Sequence, residues 1–86
     1  MKLTKKLQAE IRREMDKCRD CHVLFDTEDG AYYWDFNYEK GGFEAGGACN
    51  WGLIPEFFHA YEPSDTFQAN IEDFYAAAQE HFNISD

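Results

Sequence analysis

The sequence predicts an α+β fold, a two-layer sandwich with an N-terminal helix, a three-stranded antiparallel meander, a short helix and a C-terminal helix (α-β-β-β-α). Three observations lead there. Apolar residues recur at helical spacing near both ends of the chain, and two alternating runs in the middle flank Asp29-Gly30. Each long helix offers one apolar stripe and the sheet one apolar face, so stacking them buries both. The 86 residues are expected to form one domain, 1–86, in which fifteen aromatics supply enough buried area to fold without disulfides or metal.

In the first segment Leu3, Leu7, Ile11, Met15 and Cys18 recur every three or four residues, which predicts an amphipathic helix about four turns long. Its opposite side collects Lys2, Lys5, Lys6, Arg12, Arg13, Lys17 and Arg19. A nucleic-acid-reading helix would look like this, but a solvated face that answers acids elsewhere in the chain explains it as well. The apolar arc also lacks the bulky anchors of a membrane-surface helix.

The run "HVLFDTEDGAYYWDFNY" reads as a β-hairpin turning at Asp29-Gly30. A two-residue turn there pairs Phe25 with Trp34 and Val23 with Phe36. Val23, Phe25, Thr27, Tyr32, Trp34 and Phe36 then share one face, and Asp26, Glu28, Tyr33 and Asp35 share the other. A third strand after "EKGG", with Tyr38 facing Phe43, adds Phe43, Ala45 and Gly47 to the apolar face and Glu44 to the acidic one. Pro55 suits the first turn of a short helix through about Tyr61, and Pro63 stops it. Asp65 and Gln68 are spaced as a capping pair for the last helix. That helix is expected to bury Phe67, Ile71, Phe74, Tyr75, Ala78 and Phe82, leaving Asp65, Glu72, Asp73 and Glu80 outside.

Charge is the strongest anomaly. Residues 1–20 hold seven bases against four acids, a net of +3, whereas residues 21–86 hold thirteen acids and one base, Lys40, a net of −12. Such a body repels nucleic acid and anionic membranes and attracts basic surfaces, including those of proteins whose own ligand is nucleic acid. The candidate partner-binding residues are Asp26, Glu28, Asp35 and Glu44 on the outer sheet face, Asp29 and Glu39 at the turns, and Tyr33 as an aromatic anchor among them. On an ideal sheet these carboxylates stand about 4.8 Å apart across strands and about 6.6 Å apart along them, a spacing comparable in scale to a nucleic-acid backbone. Acids that simply keep an aromatic-rich protein in solution would also face outward.

"KCRDCH" (17–22) has the spelling of a c-type haem site, and Cys18, Cys21, Cys49 and a histidine match the ligand count of a zinc site. No export signal is expected to bring the motif to an oxidising assembly site. The expected register also sets Cys21 roughly 20 Å from Cys49, too far to share an ion. A thioredoxin-type pair would begin a helix, where the dipole lowers a thiol pKa, whereas this pair ends one. Neither cofactor nor metal is expected, and a zinc- or haem-binding protein using Cys18, Cys21 and His22 is the alternative of another class. "GGFEAGGACNWG" lacks the Lys-Ser/Thr ending of a phosphate loop. His59 and His81 lie among aromatics, and no nucleophile–base pair sits at a recognisable elbow, so the chain is not expected to be an enzyme.

The expectation is therefore a small acidic inhibitor that occupies the basic groove of a nucleic-acid-binding protein or complex, binding neither nucleic acid nor membrane directly. It is similar in size and charge to phage-encoded anti-CRISPR and antirestriction proteins. An immunity protein or antitoxin capping a toxin nuclease is the alternative within the same class. The α-β-β-β-α order also resembles that of the double-stranded RNA-binding domain, but this last helix carries Glu72, Asp73 and Glu80 where that domain needs lysines. No apolar run approaches the ~20 residues needed to span a bilayer, and the charged N-terminus lacks a signal peptide's apolar core. An odd count of three cysteines suits a reducing compartment. The cytoplasm is expected, that of a host if the chain is phage-encoded. Opposite charges on the first helix and the body also allow copies to pair as a homodimer.

Overall fold

A computed structural model describes residues 3–18, 23–28, 30–49 and 52–84. The elements are α1 (Lys5–Lys17), β1 (Val23–Thr27), β2 (Gly30–Asn37), β3 (Gly42–Cys49), β4 (Gly52–Ala60) and α2 (Phe67–His81). The fold is α+β, and the four strands form one antiparallel sheet in the order β1-β2-β3-β4. Among the described residues no helix is long and apolar enough to cross a membrane.

The expected three-stranded meander thus has a fourth strand, and the short helix expected from Pro55 to Tyr61 is β4. Pro55 has two natural homes, the first turn of a helix and an irregular edge strand. Here β4 is the edge of the sheet, and the pairing slips between Ala45↔Phe57 and Gly46↔Pro55, leaving Glu56 as the extra residue of a bulge. A missing N–H costs least at such a place. Beyond the bulge Phe57 and His59 turn inward while Phe58 and Ala60 are exposed, the alternation of a half-buried strand.

Both expected hairpin registers move by two residues. In the first, Thr27 pairs with Gly30 and Phe25 with Tyr32, and the Thr27 hydroxyl donates to the Gly30 carbonyl at 2.6 Å. In the second, Phe36 pairs with Phe43, Trp34 with Ala45 and Asp35 with Glu44. Asn37 fixes that turn, its carbonyl accepting from Gly41 N at 2.8 Å and its Oδ1 from Lys40 N at 2.9 Å. Gly41 adopts φ 75°, a conformation that favours glycine. Because side chains alternate with a period of two, a two-residue shift leaves every residue on its expected face. Val23 is the exception. An irregularity between Val23 and Phe25 pairs it with Tyr33 and leaves it 49% exposed, while Leu24 packs against the core.

Phe43 and Phe74 form the centre of the core, both fully buried and stacked at 4.9 Å between ring centroids. Around them lie Trp34, Phe36, Phe57 and Tyr61, with ring centroids 5.1 to 6.3 Å from one or the other. Aromatic pairs at these separations add about 0.5–1.5 kcal/mol each beyond area burial. From α1 come Ile11 and Met15, preceded by Leu3, along the expected stripe. Thr4 caps α1 by accepting from Leu7 N at 3.1 Å.

Helix α2 departs from its expected start and stripe. Its cap is Thr66, whose hydroxyl accepts from Ala69 N at 3.1 Å, rather than Asp65. Tyr75 is 42% exposed, leaning on the Phe25 ring at 5.2 Å, and Asn70 is buried in the inward arc. Asn83 ends the helix at φ 57°, with Ile84 N donating to Gln79 O at 2.8 Å and Asn83 N to Glu80 O at 3.3 Å, a Schellman closure.

Candidate acidic interface

The candidate residues lie on the sheet face opposite the core aromatics and on the turns beside it. The β2–β3 register sets Asp35 directly across from Glu44 and Tyr33 across from Gly46. Asp35 is exposed, one carboxylate oxygen accepting from Phe36 N at 2.8 Å. Glu44 differs from expectation: its side chain is only 13% exposed, with Oε2 4.0 Å from Lys40 Nζ. Tyr33 is half-buried.

Asp26 is exposed on β1 but pairs with Ala31, so it lies four residues along the strand direction from Asp35, roughly 13 Å at ~3.3 Å per residue. Glu28 and Glu39 are exposed at the two turns. Asp29 lies outside the described residues. The acids therefore divide into a central pair, Asp35 and Glu44, and outlying members at Asp26, Glu28 and Glu39, in place of one even lattice.

One β4 residue joins this surface, and a second ties its strand to β3. Phe58 pairs with Glu44 and is 40% exposed. Its ring covers Gly42, where an added Cβ would meet Phe58 Cζ at 2.6 Å. The Glu56 carboxylate accepts from Gly47 N at 3.0 Å, tying the bulge to β3. Neither role was legible while this stretch read as a helix, although the alternation from Glu56 to Ala60 carried the signal.

Carboxylates directly opposed on a sheet destabilise it, and among the described residues Lys40, at the limit of ion-pair distance, is the base that relieves this pair. A cation brought by a partner would lower that repulsion. Among the described residues there are two ion pairs, Lys17–Glu14 within α1 and Lys40–Glu44. No base of α1 thus forms an ion pair with a described sheet acid or with Glu72, Asp73 or Glu80 of α2, although Gln68 Nε2 donates to Glu72 at 2.7 Å. Arg12 instead lies over the Tyr38 ring, 4.4 Å from its centroid.

Of the cysteine motif, Cys18 is half-buried at the end of α1 and carries a free thiol. Cys21, His22 and the Cys49 side chain lie outside the described residues. Among the described residues no three His, Cys, Asp or Glu side chains are grouped to hold a metal. His81 and His59 stack on Phe57 with centroids at 4.7 and 6.4 Å. No family model, curated protein or solved structure matches the chain.

Proposed function

We propose that the chain is a small acidic binding protein that occupies the basic groove of a nucleic-acid-binding protein, a nucleic-acid mimic of the anti-CRISPR or antirestriction kind. The observation that carries this is the unneutralised body, a net −12 over residues 21–86 whose described acids meet no base of α1 in an ion pair. In this reading the helices cover the aromatic face of the sheet as in a two-layer sandwich, leaving the Asp35–Glu44 face free for the partner. Exposed Phe58 and half-buried Tyr33 add apolar contact of the sort that holds a complex once charge has steered it together. The protein acts by binding rather than catalysis, without cofactor or metal, in the cytoplasm of the cell that holds its target.

The test begins with capture of basic proteins on the immobilised chain from a nuclease-treated lysate and identification of what salt elutes. Neutralising the exposed acids together (Asp26→Asn, Glu28→Gln, Asp35→Asn, Glu39→Gln) is expected to weaken the captured partner's binding roughly tenfold at low salt, mainly through the association rate. Affinity unchanged in that variant would remove the sheet from the interface. A captured nuclease blocked in catalysis but still bound to duplex would contradict the mimic.

A further inference from the structure

A concavity lies between α1 and the segment 61–68 that leads into α2. It encloses about 490 Å³, within the about 300–1,000 Å³ of ordinary ligand pockets. Leu7 and Ile11 of α1 form one apolar wall, and Tyr61, Pro63 and Phe67 form the other. Carboxylates stand on both sides, Glu10 and Glu14 on α1 and Asp65 on the facing segment. Glu14 already holds Lys17 at 3.0 Å, whereas no described residue forms an ion pair with Glu10 or Asp65. Arg13 is the one base in the lining.

We propose that this cleft receives an arginine side chain of a partner protein, its guanidinium held between Glu10 and Asp65 and its stem laid along Tyr61 and Phe67. The chemistry selects the occupant. A slot with one aliphatic wall, one aromatic wall and carboxylates on both lips matches a planar cation with several N–H donors better than a compact ammonium, and its negative field excludes acidic ligands. Burial raises the Tyr61 phenol above its ordinary pKa, and Glu10, Glu14 and Asp65 push it the same way, so their field converges on the cleft. The assignment rests on the proposed function only in expecting a basic partner, and it adds a contact that the sheet does not provide.

The test is an NMR titration of the whole chain with the peptide Ac-Leu-Arg-NH2 and its neutral twin, in which citrulline replaces arginine. Saturable shifts are expected at Leu7, Ile11, Tyr61 and Phe67, with the citrulline peptide at least tenfold weaker. Joint Glu10→Gln and Asp65→Asn substitution is expected to weaken the arginine peptide at least fivefold. Glu72→Gln with Asp73→Asn, the same charge change on the exposed side of α2, is expected to alter affinity less than twofold. Absent shifts, shifts spread over all acidic surfaces, equal binding of the citrulline twin, or equal weakening by the α2 variant would each overturn the assignment. No partner is needed for the titration, so its failure beside intact competition with nucleic acid condemns the cleft alone. Failed competition beside intact peptide binding condemns the mimic alone.

Discussion

Asn70 sits inside α2 at 3% exposure with every side-chain polar atom engaged. Its Oδ1 accepts from Glu62 N at 2.7 Å, and its Nδ2 donates to Glu62 O at 3.0 Å and Thr66 O at 2.8 Å. The amide thereby does for the loop what a neighbouring strand would do, satisfying both backbone groups of Glu62. Asn70→Ala is expected to cost about 1–3 kcal/mol in denaturant unfolding, because it removes three hydrogen bonds and leaves the Glu62 N–H without its protein acceptor. A loss below about 1 kcal/mol would show that water replaces the amide. Periodicity could not reveal this residue, since a polar side chain in an apolar arc reads as an interruption; Tyr75 was expected inward for the complementary reason. Burial also raises the Tyr38 phenol, against the opposing pull of Arg12, as it raises that of Tyr61. Both pKa values are higher folded than unfolded, so native tyrosines hold protons that the unfolded chain has released. Stability is then full below the ordinary phenol value near pH ~10 and falls as pH rises through it. Tyr38→Phe with Tyr61→Phe is expected to flatten that alkaline decline in urea melts, and an unchanged slope would contradict it.

The elements differ in how openly the sequence declares them. Both long helices were legible because Leu3, Ile11 and Met15, and likewise Phe67, Phe74 and Ala78, repeat at intervals that only a helix brings to one side. Which face of the sheet each residue takes was legible too, since alternation survives a two-residue slip. The register itself was not, because it depends on side-chain bonds within the turns, those of Thr27 and Asn37, which hydropathy does not encode. Strand β4 was hidden by Pro55, and the site inherits each of these gaps: Asp35 and Glu44 meet through the true register, and Phe58 joins them through the fourth strand. The bulge gives a direct check on β4. A Cβ on Gly46 would collide with the Ile54 carbonyl oxygen and stand 2.9 Å from Glu56 N, whereas one on Gly47 would meet only Glu56 Oε2, at 3.6 Å. Gly46→Ala is therefore expected to cost about 1–3 kcal/mol, and Gly47→Ala to stay within about 0.5 kcal/mol. Equal effects at the two positions would place the bulge elsewhere.

For the whole molecule the governing quantity is charge held by an ordered scaffold. At −9 overall, with its bases gathered at the N-terminus, the chain presents acids on the sheet, at the turns and along α2. Charges of this density attract a cationic cleft from a distance, and their effect shrinks as the Debye length contracts from about 10 Å at 0.1 M salt to about 3 Å at 1 M. The most direct measurement follows a captured basic partner bound to fluorescent duplex while this chain is titrated in, across a series of salt concentrations. The expected result is mutually exclusive binding, with the chain displacing duplex and its affinity falling steeply as salt increases. A ternary complex in which duplex and chain stay bound together, or an affinity that is flat from low to high salt, would contradict it.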